Sequence, residues 1–320
     1  MLTDEKRLRN RRVIAVMNRK GGVGKTSITA NVAGVLADAG YRVLAADLDA
    51  QGNLGDDLGY RHTDLNDQGM ALFQSLGLDQ PLTPATGVRD RLDVIPAGAQ
   101  TSRLADVLQG DSVRGGDVSD RLASKISDIA DQYDVILLDC PPGDAVLQQQ
   151  ALVAARWILI PTQPDDGSLA GLEQLAERVF EVRPLNPTVE LLGVVLFPLV
   201  SSAKRVQQDV RAKLAAMLGD AAPVFTSTIR FAQAAGVDAR ARGQLAIELA
   251  RDAEGQDRFA WTKALRARRE GADLDAVETE APKRLADSAG SLAGDYLALT
   301  GEILETLAAN EQRLAQEVVS

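Results

Sequence analysis

One cysteine, Cys140, and one histidine, His62, are all that the 320 residues contain. A lone thiol excludes an internal disulfide framework and a cysteine-rich metal site. A lone imidazole leaves histidine-centred triads and zinc sites almost nothing to draw on; His62 stands among polar residues and reads as a loop position. No apolar run approaches the roughly 20 residues that cross a bilayer. No basic-then-apolar leader with a small-residue cleavage site opens the chain, so the cytoplasm is the expected location. A basic excess is lacking too: the net charge is -10 and the pI about 4.8. A uniformly basic surface for nucleic acid is thereby excluded, and any DNA contact has to come from a local patch.

What the chain does have is 45% hydrophobic and 25% charged residues, enough for a large core. Residues 13–17 form a short apolar run that enters a glycine-rich stretch, the pattern of a buried parallel strand. Residues 26–39 repeat at helical spacing and stop at Gly40. The alternation continues with strands at 43–46, 92–95, 135–138, 157–160 and 191–197. Helices are expected within 101–132, broken near Gly115, and at 169–182 and 204–218. Strands alternating with helices, without hairpin signals between them, predict an α/β fold: a doubly wound, mainly parallel sheet flanked by helices in a single domain. Ligands of such sheets sit beyond the carboxyl ends of the strands. Segments 55–90 and 251–287 break the rhythm and read as surface elaborations, whereas 288–318 regains helical periodicity as one or two helices.

The chemistry-bearing stretch is Lys20-Gly21-Gly22-Val23-Gly24-Lys25-Thr26, followed by Ser27. Successive backbone N–H groups at a helix start make a concave anion site, and glycines let phosphate oxygens approach closely. Lys25 is placed to reach the β and γ phosphates of a nucleotide, and the Thr26 hydroxyl to ligate Mg²⁺. Val23 belongs to the same cradle. One departure is informative: the usual P-loop has a glycine five residues before its Gly-Lys pair, and this chain has Arg19 there, followed by Lys20.

A second lysine in that place resembles the deviant Walker A motif of the ParA, MinD and nitrogenase iron protein superfamily of P-loop ATPases. The resemblance implies that Lys20 crosses a dimer interface to the partner's nucleotide, adding positive charge to the γ-phosphoryl group in trans. Asp47-Leu48-Asp49-Ala50-Gln51-Gly52 resembles the family's Walker A′ motif, in which the second acid, here Asp49, orients or activates the attacking water. Asp47 is then expected to support the Mg²⁺ shell or the loop. The run from Tyr133 to Gly143 resembles the Walker B strand and its proline turn, which assigns Asp139 to Mg²⁺. Cys140 beside it reads as a small buried residue.

Within the superfamily, a nitrogenase-type relative needs two cysteines per subunit and this chain has one. A MinD-type relative ends in a basic amphipathic helix, whereas 301–320 carries Glu302, Glu305, Glu311 and Glu317 against Arg313, so no membrane attachment is expected. The ParA/Soj branch remains. It implies an ATP-bound homodimer, non-specific DNA binding and a nucleoid-associated location. It also implies hydrolysis that is weak alone and stimulated by a ParB-like centromere-binding protein. The candidate DNA residues are Lys204, Arg205, Arg211, Lys213, Arg230, Arg240 and Arg242. Further similarity lies in Ile160-Pro161-Thr162-Gln163-Pro164 and in the closing stretch around Gly290 and Tyr296; Ala170 stands where partition proteins commonly carry glutamate. Twelve residues precede Val13, so a helix-turn-helix operator-binding domain is not expected. The alternatives are a ParA-like positioning ATPase and a non-hydrolysing, ATP-dependent scaffold for a protein assembly.

Overall fold

Every residue of β1 (Val13–Val16) is buried, the mark of a strand covered on both faces. The computed structural model describes residues 2–163, 166–199, 204–255 and 288–319. Before β1 runs α1 (Asp4–Arg9), and after it α2 (Lys25–Asp38), β2 (Val43–Asp47) and α3 (Asn53–Asp57). Then come α4 (Met70–Leu72), continued by a wide turn over Phe73–Gly77, β3 (Ala85–Arg89), β4 (Leu92–Ile95), α5 (Ala99–Val113), α6 (Arg121–Ile129) and β5 (Val135–Asp139). The remainder is α7 (Ala145–Ala154), β6 (Trp157–Thr162), α8 (Asp166–Val182), β7 (Glu190–Leu199), α9 (Lys204–Leu218), β8 (Val224–Arg230), α10 (Gln233–Arg242), α11 (Ala246–Gly255) and α12 (Ala289–Val319).

The eight strands form one sheet in the order β3-β4-β2-β5-β1-β6-β7-β8, parallel except for β3. Alternate residues serve opposite faces. Val13, Ile136 and Ile158 join α4 to α9 on one side, while Ile14, Leu137 and Leu159 join α2, α3, α10, α11 and α12 on the other. The order reverses at β1, whose neighbours are β5 and β6, so the glycine loop leaves the sheet at its topological switch point. Register brings Val16 opposite Asp139, and Asp139 opposite Asp47.

The structure departs from the sequence expectation at β3. It pairs antiparallel with β4 through Asp90-Arg91, where Arg91 takes a left-handed φ of 58°. No Asn-Gly or Asp-Gly signature announces that hairpin. Nor is segment 55–90 only peripheral: Leu58, Tyr60, Leu72, Leu76 and Leu82 are buried in the core. The helical periodicity near the end resolves into the single helix α12. Most of the 251–287 segment, residues 256–287, lies outside the described residues, as do Pro164 and the side chain of Ala170.

One backbone contact locks α3 to α10. Gly59 and Gly243 follow the two helices with φ of 73° and 61°, and a Cβ on Gly243 would stand 2.3 Å from the Gly59 Cα. Arg89 clamps the same junction, donating to the Leu58 carbonyl at 2.6 Å and the Gly243 carbonyl at 2.9 Å while pairing with Glu248 at 2.6 Å. Gly40 has a comparable φ of 95° but open space around it. Gly40→Ala should therefore cost about 1 kcal/mol, the backbone effect alone. Gly243→Ala should cost at least about 2 kcal/mol more, because backbone has to move apart. Urea unfolding of the two variants checks this; equal losses would contradict the close approach.

Candidate nucleotide site

The loop after β1 is tied down from several directions. Asn18, buried, donates from Nδ2 to the Pro161 carbonyl at 2.8 Å and accepts the Lys20 N–H on Oδ1 at 2.9 Å. Gln163 donates to the Gly22 carbonyl at 3.4 Å. Gly24 caps α2 with φ 83°, and a Cβ there would lie 2.3 Å from the ring of Phe197 on β7. Glycine is thus required both by conformation and by the aromatic ring packed against it. Gly21 and Gly22 are exposed, Val23 is buried, and Thr26 and Ser27 begin α2 half-buried.

Lys25 is 7% exposed, and its Nζ donates to the Lys20 carbonyl at 3.1 Å. Burial lowers its pKa, while Asp139, Cys140 and Asp49 pull the other way. Lys20 is half-buried, its backbone held at both ends by Asn18 and Lys25. The structure therefore brings Lys20, Lys25 and the glycines into one loop over the strand ends.

The two strand-end acids differ. Asp47 is fully buried, and its oxygens accept the backbone N–H groups of Asp49 at 2.9 Å and Leu54 at 3.2 Å. Those two hydrogen bonds tie it into the loop that carries Asp49. Asp49 stands beyond it, half-buried, and accepts the Gln51 N–H at 3.0 Å. Asp139 is 1% exposed, and neither carboxylate oxygen closes a full hydrogen bond among the described residues, the Thr26 hydroxyl acting on it only weakly. Burial pushes its pKa up to about 7 against the opposing pull of the Thr26 hydroxyl and Lys25. Burial likewise raises Asp47 and Cys140.

A buried, weakly partnered carboxylate beside a hydroxyl fits a small hard cation, which takes oxygen ligands and keeps part of its hydration. Asp139 and Thr26 would hold Mg²⁺ here. Among the described residues no cluster of three or more His, Cys, Asp or Glu could hold a metal by itself.

The cationic candidates are less united. Arg211 spends its guanidinium on the Phe225 and Thr226 carbonyls of β8. Arg230 pairs bidentately with Asp295 at 2.7 Å, and Arg240 with Asp57 at 2.7 Å. Lys213 and Arg242 are exposed, on helices that cover opposite faces of the sheet beside β8. Lys204 and Arg205 open α9, with side chains outside the described residues. His62 is exposed in a turn and Cys140 is buried, as the sequence implies. Sequence reading missed Asn18, Asp57 and Phe197. An Asn two residues before a loop lysine is a turn signal, but nothing local marks the other two.

The raised pKa of Asp139 carries a sign. The native state holds this proton more tightly than the unfolded chain, so the group lowers stability as pH rises from about 4 through 7. Asp139→Asn should therefore raise the nucleotide-free Tm by roughly 5 °C at pH 8 and by little at pH 5. Thermal melts at both values check this; a lower Tm at pH 8 would contradict it.

Residues 11–191 match a family described as an AAA domain. The chain is 34% identical over 269 residues to the chromosome partitioning protein ParA of Caulobacter vibrioides, spanning 79% of this chain and 97% of that protein. It is 34% identical over 227 residues to the chromosome-partitioning ATPase Soj of Thermus thermophilus, spanning 70% and 84%. Among solved structures, cobyrinic acid a,c-diamide synthase of Mycobacterium smegmatis with bound ADP and magnesium superposes with a TM-score of 0.59 at 29% identity, over 72% of this chain and 90% of that one. The cell division ATPase MinD of Pyrococcus furiosus gives 0.57 at 20% identity over 92% and 98%, a likeness of fold. With that extent of identity over most of this chain and of its relatives, the protein belongs to the ParA/Soj family of P-loop ATPases.

Proposed function

We propose that this chain is an ATP-driven DNA-partition switch. Mg-ATP bound at the loop would draw two protomers into a sandwich dimer, with Lys20 of each reaching the other's nucleotide. The dimer would bind DNA without sequence preference, and a ParB-like centromere-binding protein would stimulate the hydrolysis that releases it. The observation that carries this reading is Lys20 itself. Its amide and carbonyl are both engaged within the loop, which fixes where the side chain leaves the backbone.

Mg²⁺, held by Thr26 and Asp139, would neutralise phosphate charge during hydrolysis. Lys25 would trade the Lys20 carbonyl for phosphate oxygens, and Asp49 would align the attacking water and take up its proton. Phosphoryl transfer asks little covalent chemistry of the protein, so positioning and charge supply most of the acceleration. Lys213, Arg242, Lys204 and Arg205 are the cations best suited to DNA phosphates, since Arg211, Arg230 and Arg240 are engaged within the fold. The cytoplasm, at the nucleoid, would be the place of action. No helix among the described residues is long and apolar enough to cross a membrane.

Steady-state phosphate release is expected to rise above the Lys25→Ala background when DNA and the basic product of a neighbouring gene are both added, and Lys20→Ala should abolish the stimulation. Turnover at that background in every combination would overturn the enzyme reading and favour a non-hydrolysing scaffold. ATP-dependent DNA binding should weaken with Arg242→Glu and fall at least about a hundredfold between roughly 50 and 200 mM salt. Binding indifferent to both would remove the patch.

A further inference from the structure

Asp57 ends α3, outside every recognisable motif, and is 7% exposed. Its Oδ2 accepts the Ser27 hydroxyl at 3.0 Å and its Oδ1 the Arg240 Nε at 2.7 Å. Ser27 sits in the first turn of α2 directly after Thr26, so Asp57 grips the helix that carries the phosphate loop. Asn31, one turn on, continues the grip: it donates to the Ser27 carbonyl at 2.9 Å and accepts the Ala246 N–H at 2.8 Å. A buried carboxylate serves well as an anchor, yet this one is hydrogen-bonded to the residue that directly follows Thr26, in the turn of α2 that carries the phosphate loop. Unpaired, it would oppose the arrival of a triphosphate.

Arg240 answers that charge. It reaches Asp57 from α10, half-exposed, on an element held to α3 by the Gly59–Gly243 contact and the Arg89 clamp. A guanidinium keeps its charge in such a place. Removing the guanidinium leaves a buried carboxylate uncompensated. We propose that Arg240 is a positioning residue for nucleotide: by neutralising Asp57, it lets a buried carboxylate hold the start of α2 without repelling the phosphates.

Arg240 thus serves the phosphate site rather than DNA. The contrast lies at the far end of α2, where Arg251 of α11 pairs with Asp38 at 2.7 Å with side chains 57% and 41% exposed. Exposed pairs of that kind contribute little.

The inference rests on the loop being an ATP site, and the test separates the two claims. Mg-ATP affinity is measured by titration with a fluorescent ATP analogue. Arg240→Gln should weaken binding about five- to tenfold, whereas Arg251→Gln should leave it within about twofold. Adding Asp57→Asn to Arg240→Gln removes the uncompensated charge and should restore most of the affinity, an outcome that loss of packing does not produce. Should Arg240→Gln fold poorly, Arg240→Lys and the double variant carry the comparison. Equal affinity in wild type and Arg240→Gln, or a double variant weaker than the single, would overturn the inference. No binding by wild type would instead overturn the ATP reading itself.

Discussion

Charge buried at the carboxyl ends of parallel strands is the constraint around which this molecule is built. Lys25, Asp47 and Asp139 lie together where β1, β2 and β5 end, in surroundings that disfavour every one of their charged forms. Each is settled differently. Asp47 is satisfied by two backbone amides and shapes the loop that presents Asp49. Lys25 leans on the carbonyl of Lys20. Asp139 has no such backbone support, and neither of its oxygens closes a full hydrogen bond among the described residues; the proposed magnesium ion with its phosphates would meet that need.

The same economy extends outward through α3. This five-residue helix begins just after the Asp47 loop and ends at Asp57, which holds Ser27. Its C-terminal end meets α10 through two glycines that tolerate no side chain between them. A short element thereby joins the loop that carries Asp49, the glycine loop and a helix bearing Arg240 and Arg242. Tight packing transmits displacement because it leaves no slack to absorb it, so under the proposed function a shift at the phosphates would be felt at α10. That linkage suits a protein whose proposed task is to change its outer surface with its nucleotide.

Much of this was legible in the residues. The strand before the glycine loop, the helix after it and the acids at 47, 49 and 139 followed from apolar runs that end in glycine or aspartate, because a parallel sheet buried on both faces leaves little freedom in its strands. The extent of α9 was readable for the same kind of reason, its apolar and charged residues alternating at helical spacing. Less accessible was β3, which as an edge strand needs neither a continuous apolar run nor a standard turn dipeptide. The Asp57–Arg240 pair joins residues 183 positions apart, and no local pattern encodes such a partner. The basic patch illustrates the limit most clearly: composition identifies arginines, but only the fold shows that Arg211 and Arg230 are already spoken for.

The most direct test of the central claim is a crystal structure with Mg²⁺ and a non-hydrolysable ATP analogue. The account predicts the Lys25 ammonium moved from the Lys20 carbonyl onto phosphate oxygens, the metal beside Asp139 and Thr26, and Lys20 directed at the nucleotide of a second protomer. A triphosphate seated with Lys25 still on that carbonyl, in a lone protomer and with Asp139 turned from the metal, would contradict it.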